Sequence, residues 1–271
     1  MAPPGAGTKP AARRDLLPCG APAARRPARR RPAPPPPPCA AAASGCAALV
    51  EALGAGRVVR EAARGGSAWS SAWTLSTDSG GELFAKTAHG PDAAAVFEAE
   101  AAGLRALGAP GALRVPRVLH AGALPGGAPG GCIVMERLNL GGRVDQAALG
   151  RALARLHRAP PADARAAAGA FGFAVDNAIG GTPQLNGWSD DWVEFFRERR
   201  LRHQLRLAGD ARLDALAAPV LAGMGALFEN VEVRPATLHG DLWSGNYAAC
   251  GGEPTVIDPA AYYGHAEAEF G

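Results

Sequence analysis

Leu238-His239-Gly240-Asp241-Leu242-Trp243-Ser244-Gly245-Asn246, with Val256-Ile257-Asp258-Pro259 after it, is the most informative part of this 271-residue sequence. It places a histidine two residues before Asp241, an asparagine five residues after it, and a second acid, Asp258, at the end of a short apolar run. Phosphoryl transfer from Mg-ATP requires a carboxylate beside the hydroxyl group of the substrate. It also requires an amide and a second carboxylate that converge on a hard cation. The stretch therefore predicts a phosphoryl-transfer site formed by Asp241, Asn246 and Asp258.

The spacing of these residues suggests how they meet. Residues 246–250 and 255–258 have the pattern of short strands around the turn 251–254. If the two strands pair antiparallel about Gly252, Asn246 falls opposite Asp258, and Asp241 on the preceding loop faces the same point. The alternative is that His-Gly-Asp is a polar turn and Asp258 an ordinary strand-end residue. His-x-Asp alone favours that alternative, but the three residues in register favour the functional interpretation.

The net charge of +3 conceals a strong asymmetry. Residues 1–45 carry eight basic residues and one acid, a net charge of +7, which leaves −4 for the remainder of the chain. This arm also contains the proline run 34–38 and almost no large apolar residue. Such a segment buries too little surface to offset its chain entropy, so we expect residues 1–45 to form a disordered basic leader.

Three interpretations of the leader remain open. Its Arg-rich, acid-poor composition suits a transit peptide, although few hydroxyl residues are present. A basic arm that touches nucleic acid is a second possibility, disfavoured because no aromatic residue lies among the arginines for stacking. A solvated leader without function is the third. The first predicts a plastid or mitochondrial location and the others a cytoplasmic one, and we expect no nucleic-acid partner.

The cysteines and the hydropathy bound the class of protein further. The five cysteines, at positions 19, 39, 46, 132 and 250, show no metal-type spacing and suit a reducing compartment. Cys132 and Cys250 are expected to be buried small hydrophobes. No apolar run approaches the length of a membrane span, so we expect a soluble protein without a membrane partner.

The folded part is expected to start near Cys46 with a short helix over Ala47–Leu53, followed by a strand at 58–60. Gly65 and Gly66 begin a run rich in hydroxyl side chains, 65–75, which suits a loop whose amides approach phosphate oxygens. A plain Gly/Ser hairpin turn is the alternative, and for this string alone the more economical one.

One lysine and one glutamate are predicted to pair. Lys86 lies in a strand over 82–87, and a helix from Pro91 and Asp92 to about Leu107 follows. Within that helix Glu100 falls on the same face as Phe97 and Leu104, so it points inward. A buried carboxylate is costly unless it is paired, and Lys86 is the nearest plausible partner in sequence.

Further strands are expected over 115–119 and 132–138, and the second would lead into a hinge where backbone groups near Glu136–Leu138 meet an adenine ring. A core strand without ligand is the alternative. Asp145 is predicted to cap a helix that runs to His157. One face of that helix carries three leucines and is expected to be buried. A later helix carries Trp192, Phe195 and Phe196 inward and presents Arg197, Arg199, Arg200 and Arg202 to solvent; another is expected over 211–228.

At this point the sequence resembles the fructosamine kinase (ketosamine-3-kinase) family, a branch of the protein-kinase-like fold close to aminoglycoside and choline phosphotransferases. The resemblance spans about residues 47–271 and is specific, because generic kinases lack the tryptophan of Asp241-Leu242-Trp243 and the segment with Asn186-Gly187-Trp188 and Asp190-Asp191-Trp192. Further matching motifs are Phe171-Gly172-Phe173, Asp176-Asn177, Thr182-Pro183-Gln184 and Tyr263-Gly264-His265.

The resemblance implies a fold, a reaction and roles. The fold is α+β, bilobal and protein-kinase-like, with a small β-rich N-lobe over 46–138 and a helical C-lobe over 139–271. The reaction is ATP-dependent phosphorylation of the 3-hydroxyl of a fructosamine or ribulosamine on a lysine amine, a repair of glycated protein. The implied roles are Asp241 as catalytic base; Asn246 and Asp258 as Mg²⁺ ligands; Trp243 against the sugar; and Gly65, Gly66, Lys86, Glu100, Glu136, Arg137 and Leu138 at ATP.

The same resemblance raises one expectation about completeness and leaves two alternatives. Family members continue past the second metal acid with further helices, whereas this chain stops at Gly271, so we expect a C-lobe truncated at its C-terminal end. The alternatives are a related phosphotransferase acting on an aminoglycoside or choline, and an inactive nucleotide-binding protein.

Overall fold

A computed structural model describes residues 43–67, 69–127 and 129–270, and these belong to one compact unit. The predicted leader falls almost wholly on residues 1–42, outside the described residues. The first buried residue in the described part of the chain is Ser44, whose hydroxyl oxygen accepts a hydrogen bond from the Cys46 amide at 3.1 Å. Cys46 is followed by the first helix, α1 (Ala47–Ala52), which ends one residue before its predicted end.

The N-terminal part is built on one antiparallel sheet with the strand order β1-β2-β3-β5-β4. Its strands are β1 (Val58–Gly66), β2 (Ser71–Thr77), β3 (Glu82–His89), β4 (Val118–Ala123) and β5 (Gly130–Glu136). The predicted strand at 58–60 is the start of a much longer β1 that contains both glycines. The turn therefore comes after the two glycines, and it is closed by a 2.9 Å hydrogen bond from the Ser67 amide to the Ser70 carbonyl.

Helix α2 (Ala93–Gly108) packs across one face of this sheet. It buries Phe97, Ala101 and Leu104 against Ile133 and Met135 of β5, as the predicted apolar stripe requires. The strand predicted over 115–119 is wrong in its bounds, because β4 begins only at Val118. Pro116 has no backbone N–H to give to a ladder, and the segment before it crosses to the other part of the molecule through a parallel bridge between Arg114 and Thr255.

The C-terminal part is mainly helical. The Asp145 carboxylate caps α3 (Gln146–Arg158) by accepting from the amides of Ala147 and Ala148 at 2.9 and 3.1 Å. The predicted leucine face packs against Leu107 and Val256. The remaining helices are α4 (Ala164–Ala167), α5 (Trp192–Phe195), α6 (Arg202–Ala208) and α7 (Ala211–Gly223), with 3-10 turns at Met224–Phe228 and Ala266–Phe270.

The arginine-rich helix differs from its prediction at Arg197, which is only partly exposed and has a buried Nε, and more strongly at Arg200. Trp192 and Phe195 are buried as expected, but Phe196–Leu201 forms a π-helical turn between α5 and α6. The wider turn shifts the side-chain directions, and Arg200 points inward. Its guanidinium lies 4.1 Å from the Tyr262 ring centroid and donates to Asn186 Oδ1 at 2.8 Å. The prediction that Arg200 faces solvent is therefore wrong.

Three two-stranded antiparallel sheets complete this part: β6 (Asn177–Ile179) with β7 (Thr182–Gln184), β8 (Ala236–Leu238) with β11 (Tyr262–Gly264), and β9 (Tyr247–Cys250) with β10 (Glu253–Val256). The predicted register of the last pair is off by one. Val256 pairs with Tyr247, and the amide of Ile257, not Asp258, bonds to the Asn246 carbonyl at 2.9 Å. The reason is the turn: Gly251 and Gly252 both have positive φ, so the hairpin turns on two residues rather than about Gly252.

The burial of the cysteines and the exposure of α7 qualify two expectations. Cys132 is fully buried as predicted, and so is Cys46, but Cys250 is only partly buried.

Helix α7 and the 3-10 turn after it form an 18-residue segment, Ala211–Phe228, with a mean hydropathy of 1.4 and 11% of it buried. By length and composition alone it could cross a membrane, so the expectation that no apolar run approaches that length is wrong.

Candidate active site

The site lies in a cleft whose walls come from the sheet on one side and from the β8–β11 region on the other. A first cavity of about 310 Å³ is lined by Phe84, Lys86 and Met135 of the sheet, by residues 136–140, and by Ile257 and Asp258. A second cavity of about 450 Å³ is lined by the β1–β2 turn, Asp241, Trp243, Asn246 and Asp258. Lys86 and Asp258 line both cavities, so the two are halves of one cleft that meet at these side chains.

Lys86 is the best-anchored charge in the cleft. Its Nζ lies 2.8 Å from Glu100 Oε1 and 2.6 Å from Asp258 Oδ1. The pairing with Glu100 follows from the inward position of Glu100 on α2; the contact with Asp258 was not predicted. Burial by itself lowers the pKa of Lys86, but the charges of Glu100 and Asp258 outweigh burial and hold that pKa above its usual value. The lysine is therefore a fixed cation.

Asp241, Asn246 and Asp258 are brought together by the Asn246 side chain. Its Nδ2 donates to Asp241 Oδ2 and to the Asp241 carbonyl, each at 2.9 Å, and lies 3.4 Å from the Asp258 carbonyl. Burial raises the pKa of Asp241, against the hydrogen bond from Asn246 and the nearby His239. A carboxylate with a raised pKa at the mouth of the second cavity has the properties of a general base.

The loop that carries Asp241 is held in place by hydrogen bonds to the buried side chain of Glu269. Glu269 Oε2 accepts from the His239 amide at 2.7 Å and Oε1 from the Gly240 amide at 3.0 Å, and His157 Nε2 lies 3.3 Å from Oε2. Sequence reasoning missed Glu269, because nothing in the residue pattern distinguishes it from Glu267 in the same terminal turn. Gly240 itself has φ +79°, and a Cβ there would lie 2.1 Å from the Ala260 carbonyl oxygen.

His239 is fixed as a neutral imidazole. Its Nε2 lies 2.9 Å from the Ile257 carbonyl, and its Nδ1 accepts from the Asp241 amide at 3.3 Å. The hydrogen-bond partners assign the Nε2–H tautomer, because a carbonyl needs a donor and an amide needs an acceptor. Burial lowers the pKa of His239 despite the charge of Glu269. The histidine therefore links the catalytic stretch to the strand-end residue before Asp258.

The donor atoms fit a magnesium ion. Within the described part of the chain no group of three or more His, Cys, Asp or Glu side chains suits a metal. Asn246 and Asp258 instead offer one amide and one carboxylate, all oxygen donors. Mg²⁺ is bound in this way by one or two protein oxygens, with phosphate oxygens and water as its other ligands.

The hinge residues line the first cavity as predicted, but their side chains are engaged elsewhere. The Glu136 carboxylate contacts Arg114 and accepts from the Arg117 amide at 3.3 Å, and Arg137 pairs with Glu82 at 2.6 Å. The carboxylate of Glu136 and the guanidinium of Arg137 are therefore held in ion pairs, while residues 136–140 form one wall of the first cavity.

The glycine-rich turn lines the second cavity through Gly66, Ser67, Trp69 and Ser70; Gly65 lines neither cavity. Gly66 has φ +157°, and a Cβ on it would lie 2.1 Å from the Ser70 carbonyl, so no larger residue fits this end of the hairpin. The Trp69 ring packs 5.3 Å from that of Phe97 on α2. Sequence reasoning missed Trp69, which ties the turn to the helix that bears Glu100.

Two more features shape the second cavity. The Trp243 side chain lines it and is 60% exposed, which leaves its ring free to contact a ligand. The β6–β7 hairpin closes the opposite side, where Asn177 Nδ2 and Gln184 Nε2 donate to the carbonyls of Ala261 and Ala260 at 2.8 and 2.9 Å. These amides fix the backbone that follows Asp258, and they give a structural reason for the Asp-Asn and Thr-Pro-Gln motifs.

A β-rich N-terminal part, a helical C-terminal part and a cleft between them that holds a Lys–Glu pair and an Asp/Asn/Asp set define a protein of the protein-kinase-like fold. The aminoglycoside phosphotransferase APH(4)-Ia shares that fold, with a TM-score of 0.56 at 17% identity over 82% of this chain and 72% of that one. A family model described as fructosamine kinase matches residues 46–271. The chain belongs to the fructosamine kinase family.

Individual relatives agree with this placement. A protein from Arabidopsis thaliana named "Protein-ribulosamine 3-kinase, chloroplastic" is 48% identical over 199 residues, which cover 70% of this chain and 58% of that protein. A crystal structure from Thermobifida fusca YX-ER1, of a protein assigned as a fructosamine-3-kinase, has a TM-score of 0.71 at 31% identity over 84% of this chain and 77% of that one. The matched part spans 58 to 60% of the length of three plant relatives.

Proposed function

We propose that this protein is an ATP-dependent kinase that phosphorylates the 3-hydroxyl of ketosamines, the fructosamine and ribulosamine adducts of lysine amines. The observation that carries the proposal is the convergence of Lys86, Asp241, Asn246 and Asp258 on one cleft with two connected cavities. The family match and the name of the Arabidopsis relative support the choice of a ketosamine as the acceptor.

Each half of the cleft has a role in this proposal. Adenine lies against residues 136–138, and the phosphates extend to Lys86, which Glu100 orients. Gly66 and the turn after it cover the phosphates, with Gly65 behind them. Asn246 and Asp258 hold Mg²⁺, which supplies charge neutralisation at the phosphate oxygens.

Asp241 accepts the proton of the sugar 3-hydroxyl as that oxygen attacks the terminal phosphorus, and ADP leaves. Trp243 packs against the sugar ring. A 3-phosphate next to the ketone of the ketosamine is a good leaving group, so its loss and subsequent hydrolysis free the lysine amine. The reaction therefore repairs a glycated amine.

The test compares the wild-type protein with Asp241→Ala. Turnover of ATP with a ribulosamine or fructosamine derivative of lysine is measured, together with ATP affinity by titration calorimetry. We expect turnover in the wild type, its loss in the variant, and ATP affinities within about twofold of each other, because Asp241 lines the acceptor cavity and not the adenine cavity. Equal turnover in both proteins, or turnover only with an aminoglycoside or choline, would refute the proposal.

We also propose that the basic leader directs the protein to plastids. Its Arg-rich composition and the chloroplastic name of the Arabidopsis relative support this. A fluorescent protein fused behind residues 1–45 should enter plastids of plant cells. Accumulation in mitochondria or the cytosol would contradict the plastid location without affecting the proposed reaction.

A further inference from the structure

Strand β1 carries an irregularity beside the cleft. Ala63 pairs with Trp73 on β2, but the next pair is Gly65 with Ala72, so Arg64 is an extra residue in its strand. Such a β-bulge redirects a side chain, and bulges are frequent next to active sites. Here Arg64 lines the first cavity, and its Nε donates to the hydroxyl of Thr74 at 2.9 Å.

The position of Thr74 sets where in the cavity this arginine lies. Thr74 is buried and pairs with Phe84 on β3, whereas its neighbour on the same face, Ala72, pairs with Lys86. Diagonal neighbours of this kind have side chains about 7–8 Å apart. The guanidinium is therefore anchored one step along the sheet from the lysine that faces the phosphates.

The charges of the cavity distinguish Arg64 from its two other cations. Lys86 is paired with Glu100 and Asp258, and Arg137 is paired with Glu82. Among the described residues no carboxylate lies within 4.0 Å of the Arg64 nitrogens. Its tether is a neutral hydroxyl, so Arg64 brings a positive charge to the cavity wall that the described part of the chain does not neutralise.

We propose that Arg64 is a binding residue for the nucleotide polyphosphate, and that Thr74 positions it. The bond from Nε to Thr74 fixes the plane of the guanidinium and leaves both terminal nitrogens for phosphate oxygens, the geometry in which arginine binds phosphate best. This deepens the proposed function, because it rests on ATP as the ligand of the first cavity. It predicts selectivity for nucleotides with phosphates over the nucleoside.

The experiment measures binding rather than turnover, so its outcome does not depend on the acceptor substrate. Affinities for Mg-ATP, ADP and adenosine are measured by calorimetry for the wild type, Arg64→Met and Thr74→Val. We expect Arg64→Met to weaken ATP roughly tenfold and leave adenosine unchanged, since a hydrogen bond to a charged group is lost. Thr74→Val should weaken ATP about two- to threefold.

Arg60→Met is the matched control, because Arg60 is exposed on the same strand and does not line the cavity. It should bind ATP like the wild type. A second measurement is the salt dependence of ATP affinity, which should be steeper for the wild type than for Arg64→Met.

Three results would overturn the proposal: an equal loss of adenosine affinity in Arg64→Met, no change for any ligand, or the same effect in Arg60→Met. A wild-type protein that binds no ATP would overturn it together with the proposed function. A wild type that binds ATP through Arg64 but phosphorylates no ketosamine would refute the proposed function alone. Thermal melts of all variants check that each one is folded. Because Arg64 is exposed, Arg64→Met should melt like the wild type.

Discussion

Replacing Glu269 with glutamine tests whether a buried carboxylate holds the catalytic stretch in place. The side chain is 1% exposed and accepts from the amides of His239 and Gly240 through separate oxygens. Glutamine has the same shape, but only its carbonyl oxygen accepts a hydrogen bond. Its NH₂ group would face the N–H of the other backbone amide, and two donors cannot bond to each other. One buried amide therefore loses its partner.

The expected size follows from these contacts. An unsatisfied buried donor costs about 1–3 kcal/mol, and a hydrogen bond to a charged acceptor contributes about 1.5–3 kcal/mol to the free energy of unfolding. We expect Glu269→Gln to lower the free energy of unfolding by about 3 kcal/mol. For a folded region of this size that corresponds to a Tm lower by roughly 6–12 °C.

The assay is differential scanning calorimetry of the full chain at neutral pH, with kcat and ATP affinity measured on the same samples. Glu267→Gln is the matched control, because Glu267 is exposed in the same 3-10 turn. Its Tm should equal that of the wild type. In Glu269→Gln kcat should fall while ATP affinity holds, because Glu269 supports the Asp241 loop and lines neither cavity. Equal melts for both variants would refute this account of the loop.

Three further predictions concern residues around the same loop. Because burial raises the pKa of Asp241 and catalysis needs the ionised form, kcat/KM should fall on acidification at a pH above that of an ordinary aspartate, and a profile flat to pH 4 would contradict the assignment. Gly240→Ala places a Cβ against the Ala260 carbonyl at positive φ, so urea titration should show a loss of about 2–5 kcal/mol, whereas Gly141→Ala, which meets nothing within 4 Å, should be neutral. Trp243→Ala should raise the KM for the ketosamine roughly tenfold and leave Tm within about 1 °C, since the side chain is 60% exposed; an unchanged KM would remove Trp243 from the acceptor site.

Local patterns in the sequence predicted the parts of the cleft that one element determines. The helical spacing of Phe97, Glu100 and Leu104 placed a carboxylate on the inner face of α2, and a buried carboxylate needs a cation, so Lys86 could be named as its partner. The Asp145 cap and the leucine face of α3 were likewise readable, because both depend only on residues within a few positions of one another.

Features that depend on turn geometry or tertiary packing were not readable. The register of the β9–β10 pair was wrong by one residue because Gly251 and Gly252 form a two-residue turn. Arg200 was placed in solvent because nothing in the sequence marks a π-helical turn. Glu269 was not predicted because its partners are backbone amides about thirty positions away. Almost every residue has such an amide, so a sequence pattern cannot identify which ones a side chain binds.

The Asn246 side chain has a consequence for how variants of this site are interpreted. Its amide nitrogen donates to the Asp241 carboxylate, the proposed acceptor of the substrate proton, while its carbonyl oxygen belongs to the proposed cation site. One planar group thus connects proton acceptance to cation binding. An Asn246 variant that loses turnover would carry two defects at once, and only a separate determination of the acid limb of its rate profile and of its Mg²⁺ requirement would tell them apart.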